Sequence, residues 1–197
     1  MNRKFDQLTI MDAFIMEKVL GNVKIGRRFM KHLIGKRIHH IVCPKNNIVK
    51  QKDGTTGVFV EIYISGKEKR VINVTLYLCR EDKFGRGCPV YCFEEICKEA
   101  PDLKPIESAQ QIYIVPADNL EDKQLDEEIK AFLYYIKNPK DKRTNLIKMI
   151  DDEVRRIKMN KLFKKEYEEL QREETEKQQR IYAEICKRGK KTPSVVI

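Results

Sequence analysis

The sequence predicts an α/β protein of the α+β kind, a mixed sheet flanked by helices and followed by a long helical extension. Three observations lead there. Four β-rich runs, "RIHHIV", "VFVEIYI", "RVINVTLYLC" and "QIYIVP", fall before Pro116. Apolar residues with helical spacing stand before and after those runs. From Asn145 onward a helical apolar stripe continues and then gives out among charges.

In chain order, "LTIMDAFIMEKVLGN" places Leu8, Phe14, Ile15, Val19 and Leu20 at helical spacing, with Thr9 as the candidate N-cap. The second helix, "VKIGRRFMKHLIG", turns Ile25, Phe29, Leu33 and Ile34 inward and Arg27, Arg28 and Lys31 outward. Turn signals at Asp53-Gly54, Gly66 and Gly85 separate the strands. After Pro116, "EEIKAFLYYIKN" is an amphipathic helix, and residues 145 to about 188 read as nearly continuous helix. Its stripe runs through Leu146, Ile150, Val154, Ile157, Phe163, Tyr167 and Leu170, but no apolar residue lies between Gln171 and Arg180. Glu173 with Lys177 and Glu176 with Arg180 keep such a segment helical without docking it. A protruding charged helix is the plain reading, and a homodimer through it the alternative, because sustained a and d positions are missing. The expected organisation is an α/β domain over 1–138, a helical extension over 139–188 and a disordered tail over 189–197.

Composition narrows the function. The chain has 197 residues, and its forty Lys and Arg against thirty Asp and Glu give a net charge of +10, which favours polyanionic partners such as DNA. No apolar run is long enough for a bilayer, and "MNRKFDQLTI" lacks the apolar core of a signal peptide, so no membrane partner and a cytoplasmic location are expected. The six cysteines are then reduced thiols; Cys88, Cys92 and Cys97 match no zinc-ligand spacing. Nucleotide-loop, serine-hydrolase and zincin motifs are absent. His39 and His40, adjacent on a strand, are expected on opposite faces, against a shared metal.

One residue stands out. Glu61 lies in the middle of an apolar strand, on the face of Phe59 and Tyr63 and opposite the face of Val60, Ile62 and Ile64. Pairing with the next strand sets it among Asn73, Thr75 and tyrosines. A buried, unpaired carboxylate costs several kcal/mol, so it belongs at an edge or beside a partner.

The segments "LTIMDAFIMEKVLGN", "DKFGRGCPVYCFEEICKEAPDL", "LDEEIKAFLYYIKN" and "MIDDEVRRIKMNKLFKKEYEELQ" together resemble the PD-(D/E)XK nuclease family transposases, also called recombination-promoting nucleases. The resemblance covers most of the chain, and "FGRGCPVYCFEEICKEAPDL" is its most specific part. It implies an αβββαβ core and Mg²⁺-dependent endonuclease activity on DNA. Carried across, it makes Glu61 the catalytic and metal-binding acid where relatives carry aspartate, and Asp12 a second acidic position for the metal. The departure comes at "VINVTLYLC": where relatives continue with an acid and a glutamine or lysine, this chain has Thr75, Leu76 and Tyr77, and the crossover helix that follows in relatives is missing. The two strands merge into one, and the sheet face that helix covers is expected to lie open. Three accounts of Glu61 compete: a working nuclease whose second acid is Asp12, Glu68 or Glu81; an impaired relative that keeps a basic DNA-contacting surface at Arg27, Arg28 and Lys31; and an interaction protein using Glu61 as an edge-strand charge. The sequence favours the second.

Overall fold

The computed structural model describes residues 3–44, 47–64, 70–103, 107–116, 120 and 124–189. Gly66, Glu68 and most of the expected tail lie outside them. The described residues divide into two compact units, Leu8–Ile157 and, separately, residues 3–7 with 158–189.

The larger unit is a six-stranded mixed sheet with four α-helices among the described residues. Helices α1 (Ala13–Gly21) and α2 (Val23–Ile34) precede strands β1 (Ile38–Val42), β2 (Ile48–Lys50), β3 (Thr56–Ile64), β4 (Arg70–Leu78), β5 (Val90–Glu94) and β6 (Glu107–Ile114). Helices α3 (Glu127–Lys137) and α4 (Asn145–Met159) follow. The strand order is β1-β3-β4-β6-β5, with β2 also paired to β3. Only β4 and β6 run parallel, and the segment joining them holds β5 and no helix among its described residues.

Alternation decides which side of the sheet is core. Val58, Val60 and Ile62 of β3, Ile72, Val74 and Leu76 of β4, and Ile112 and Ile114 of β6 are at most 4 % exposed. Helices α1 and α2 pack on the sheet at β3, β2 and β1, and α3 packs on α2, with Phe29 meeting Phe132 edge-on at 4.8 Å. Each aliphatic side chain buried there contributes roughly 1.5–3 kcal/mol. Gly26 permits the α1–α2 contact, since a Cβ at that position would stand 2.3 Å from the Leu20 carbonyl oxygen.

Sequence and structure differ at several points, each with a physical reason. Helix α1 starts at Ala13 rather than after Thr9: Asp12 is its N-cap residue, and the Asp12 carboxylate accepts from the Thr9 amide at 2.7 Å and hydroxyl at 3.1 Å. Residues 145–189 are two helices, because Asn160 interrupts them and its Oδ1 caps the Leu162 amide at 2.9 Å, starting α5 (Lys161–Gly189). Helix α4 belongs with the sheet and not with an extension beginning at residue 139. Asp151 of α4, itself buried, accepts from the Tyr135 hydroxyl of α3 at 3.1 Å, from Lys142 at 2.5 Å and from Arg155 Nε at 2.9 Å. A β-bulge between Ile38 and His40 breaks the alternation of β1, so His39 and His40 are both exposed.

The smaller unit joins a one-turn 3-10 helix, Phe5–Gln7, to the start of α5. Tyr167 donates to the Arg3 carbonyl at 2.9 Å, and its ring lies 5.8 Å from that of Phe5. From Arg172 to Cys186 every residue but Glu174 is exposed.

Candidate functional site

The two sides of β3 give Glu61 its setting. Glu61 pairs with Val42 of β1 on one side and Asn73 of β4 on the other, so it lies on an interior strand. That removes the edge-strand account. It shares the face of the sheet opposite α1 and α2 with Phe59, Tyr63, Val71, Asn73 and Thr75, all half-buried, and with Gln111 across from Thr75.

On this face the Tyr63 hydroxyl donates to Glu61 at 3.2 Å. Through that hydrogen bond and its charge, Glu61 pushes the Tyr63 phenol above its ordinary value; burial adds to the shift, as does Glu107 of β6 from further away. Glu107 was not a sequence candidate. Its place beside this face follows from the parallel β4–β6 register, which pairs it with Val71 and has no local signal in the chain.

The donors that the described residues place around Glu61 do not fit a divalent ion. Mg²⁺ is held in octahedral geometry by one or two carboxylates with water and substrate oxygens, and catalysis needs it fixed against the scissile phosphate. Asn73 and Thr75 stand where further carboxylate ligands would have to come from. Asp12 serves elsewhere: besides bonding Thr9 it approaches Arg80 at 3.8 Å, beyond the end of β4. Arg80 lies seven residues along from Asn73, the residue paired with Glu61, or about 20 Å at a strand's rise per residue. Glu81 sits past the same strand end. Among the described residues no group of three or more His, Cys, Asp or Glu side chains converges on a point that could hold a metal.

The segment most specific to the resemblance has a structural task here. Asp82 collects four hydrogen bonds, from the amides of Phe84 at 2.9 Å, Gly85 at 3.1 Å and Gly87 at 2.7 Å and from the Tyr91 hydroxyl at 2.7 Å. Burial opposes its charge, but the Tyr91 hydroxyl and the Gly87, Phe84 and Gly85 amides prevail and hold the carboxyl below its usual range. Gly85 and Gly87, with φ of 65° and 64°, supply the left-handed turns. The loop sets Phe84 edge-on to Tyr113 at 5.1 Å, and Tyr113 stacks on Tyr77 at 4.6 Å. From the other side the 51–55 turn closes in: Gln51 Nε2 donates to the Tyr113 hydroxyl at 2.5 Å, and Lys83 bonds Gln51 at 2.8 Å and Asp53 at 3.0 Å. The Thr55 amide and the Lys83 ammonium lower the Asp53 carboxyl to about 2. One end of this face is therefore clamped shut, and among the described residues of the larger unit no such clamp lies at the end holding Glu61.

The three basic residues expected to contact DNA fare differently. Arg27 and Lys31 are exposed on α2, one helical turn apart. Arg28 is bound to Glu128 of α3 at 3.0 Å, and Glu128 also accepts from Thr144. Lys24, three residues before Arg27, is exposed too and extends the row; its i to i+3 spacing from Arg27 was readable in the sequence. Among the described residues no carboxylate lies within ion-pair distance of Lys24, Arg27 or Lys31. Exposed Lys36 and Arg37 follow the left-handed Gly35 that ends the helix.

Comparison of the chain with protein-family models, curated proteins and solved structures finds no match.

Proposed function

We propose that this chain is a catalytically silent relative of the PD-(D/E)XK nuclease family transposases that binds DNA through the outer row of α2. The observation that carries the reading is Lys24, Arg27 and Lys31, aligned, exposed and without a carboxylate partner among the described residues, in a chain of net charge +10. Unneutralised cations in a row are suited to phosphates, whose counterions they displace, and this contact is indifferent to base sequence. Arg28 is tied to Glu128 and is a positioning residue in this reading, fixing α2 against α3. The kinship rests on the sequence segments that resemble the family, of which "FGRGCPVYCFEEICKEAPDL" is the most specific. Catalytic silence is supported by the surroundings of Glu61, which offer Asn73, Thr75 and a tyrosine where a metal needs carboxylates.

The test measures duplex DNA affinity against salt and DNA cleavage with Mg²⁺ or Mn²⁺. Affinity is expected to fall steeply with salt, and Arg27→Ala with Lys31→Ala to weaken binding and lower the slope of log K against log salt by about two. Plasmid is expected to stay intact. Cutting that disappears in Glu61→Ala would restore the working-nuclease account, and binding untouched by the α2 double variant would remove α2 as the interface.

A further inference from the structure

On the face of the sheet opposite α1 and α2, Lys83 lies over Tyr113 at one end, while the strand residues at the other end carry two carboxylates, and this composition defines what would sit there. Across β3, β4, β6 and β5 the face presents Phe59, Tyr63, Val71, Ala109 and Phe93, the last 48 % exposed. Its charged groups among the described strand residues are Glu61 and Glu107, and neither has an ion-pair partner there. By alternation Arg70 of β4 and Lys50 of β2 belong to the opposite face. Parallel strand pairs are ordinarily covered on both sides. Among the described residues of the larger unit, the cover on the second side of β4 and β6 is Phe84 and Tyr91, which close over Tyr77 and Tyr113.

We infer that the uncovered part of this face, around Glu61, Tyr63, Val71 and Glu107, docks one amphipathic helix of a partner protein whose apolar stripe is flanked by Lys or Arg. Size and charge both select that occupant. A helix is about 10 Å across, and the open stretch of β3, β4 and β6 spans roughly that width at about 4.8 Å per strand. Half-buried apolar side chains would meet the stripe, while the two carboxylates, lacking cations of their own, would receive basic residues on its flanks. A nucleic acid is disfavoured on the same ground, because its phosphates would approach Glu61 and Glu107. This surface is separate from the α2 row, and either assignment can fail alone.

The experiment uses the full chain and two labelled model peptides of helical Leu/Lys and Leu/Glu pattern, followed by fluorescence anisotropy. A cationic peptide is repelled by a chain of net charge +10 unless a local acidic site holds it, so attraction of the Leu/Lys peptide is diagnostic. It is expected to bind, to lose roughly tenfold or more in affinity with Glu61→Lys and separately with Glu107→Lys, and to be unaffected by Arg27→Ala with Lys31→Ala. Phe93→Ser, whose ring also lies 5.3 Å from Phe84 and 5.7 Å from Tyr113, is expected to weaken it also, with a urea unfolding curve read beside it to show that the variant is folded. No binding of the Leu/Lys peptide, or binding that both charge reversals leave unchanged, overturns the inference. So does an oligothymidylate that binds and is lost on Phe93→Ser.

Discussion

The two faces of this sheet are built from the same strands and have opposite fates. On β3, Val58, Val60 and Ile62 are at most 1 % exposed beneath the helices, while Phe59, Glu61 and Tyr63, interleaved with them, are only half-buried. A strand with one wet face normally alternates apolar with polar residues, and "VFVEIYI" hardly does so. The outward side is thus more apolar than solvent requires. Strand composition reports how many faces a strand can satisfy, and the surplus marks the side where a cover is lacking.

The comparison is sharpened most by paired truncations. Ile62→Ala removes a fully buried side chain and is expected to cost about 2–5 kcal/mol, whereas Phe59→Ala, one strand position from Glu61 on the open side, is expected to cost under about 1 kcal/mol. Urea unfolding of the two variants measures the difference, and equal losses would mean that both faces are core. Gly57→Ala comes next, at the clamped end of the open face. A Cβ there would stand 2.6 Å from the Tyr77 ring and 2.9 Å from the Leu76 carbonyl oxygen, so a loss of about 1–3 kcal/mol is expected, with partial recovery when Tyr77→Leu relieves the ring. Full stability in Gly57→Ala would show the clamp to be loose. The smallest effect is acid sensitivity. Asp53 is held near 2 against an ordinary 3.8, and a carboxyl depressed in the folded state stabilises the fold above its unfolded value and ceases to as pH falls through the folded one. The urea midpoint is therefore expected to drop between about 3.8 and about 2, and Lys83→Met, which removes a cause of the depression, to reduce that drop.

Much of the architecture was legible before any coordinates. Strands β1, β3, β4 and β6 and the helices α1, α2 and α3 follow from apolar periodicity, and the polar surroundings of Glu61 follow from pairing β3 with β4. β2 was missed because three residues with an exposed valine carry no period, and β5 because its face alternates only against β6, a distant partner. The interruption at Asn160 did have a signal, a cap-forming residue inside an otherwise helical pattern. The candidate site was half readable. The outward setting of Arg27 and Lys31 follows from helical spacing, but that Arg28 is occupied by Glu128, a hundred residues away, is a tertiary fact. The same holds for Asp12, whose carboxylate is engaged by Thr9 and Arg80 rather than by anything near Glu61.

The boundary strands of the sheet carry a last implication. On one flank β3 is lined end to end by β1 and β2, of five and three residues, and on the other β6 is lined by β5, also of five. Among the described residues no long, flat row of unpaired amides and carbonyls is offered to a neighbouring chain, so fibrous growth by strand addition has little to start from there.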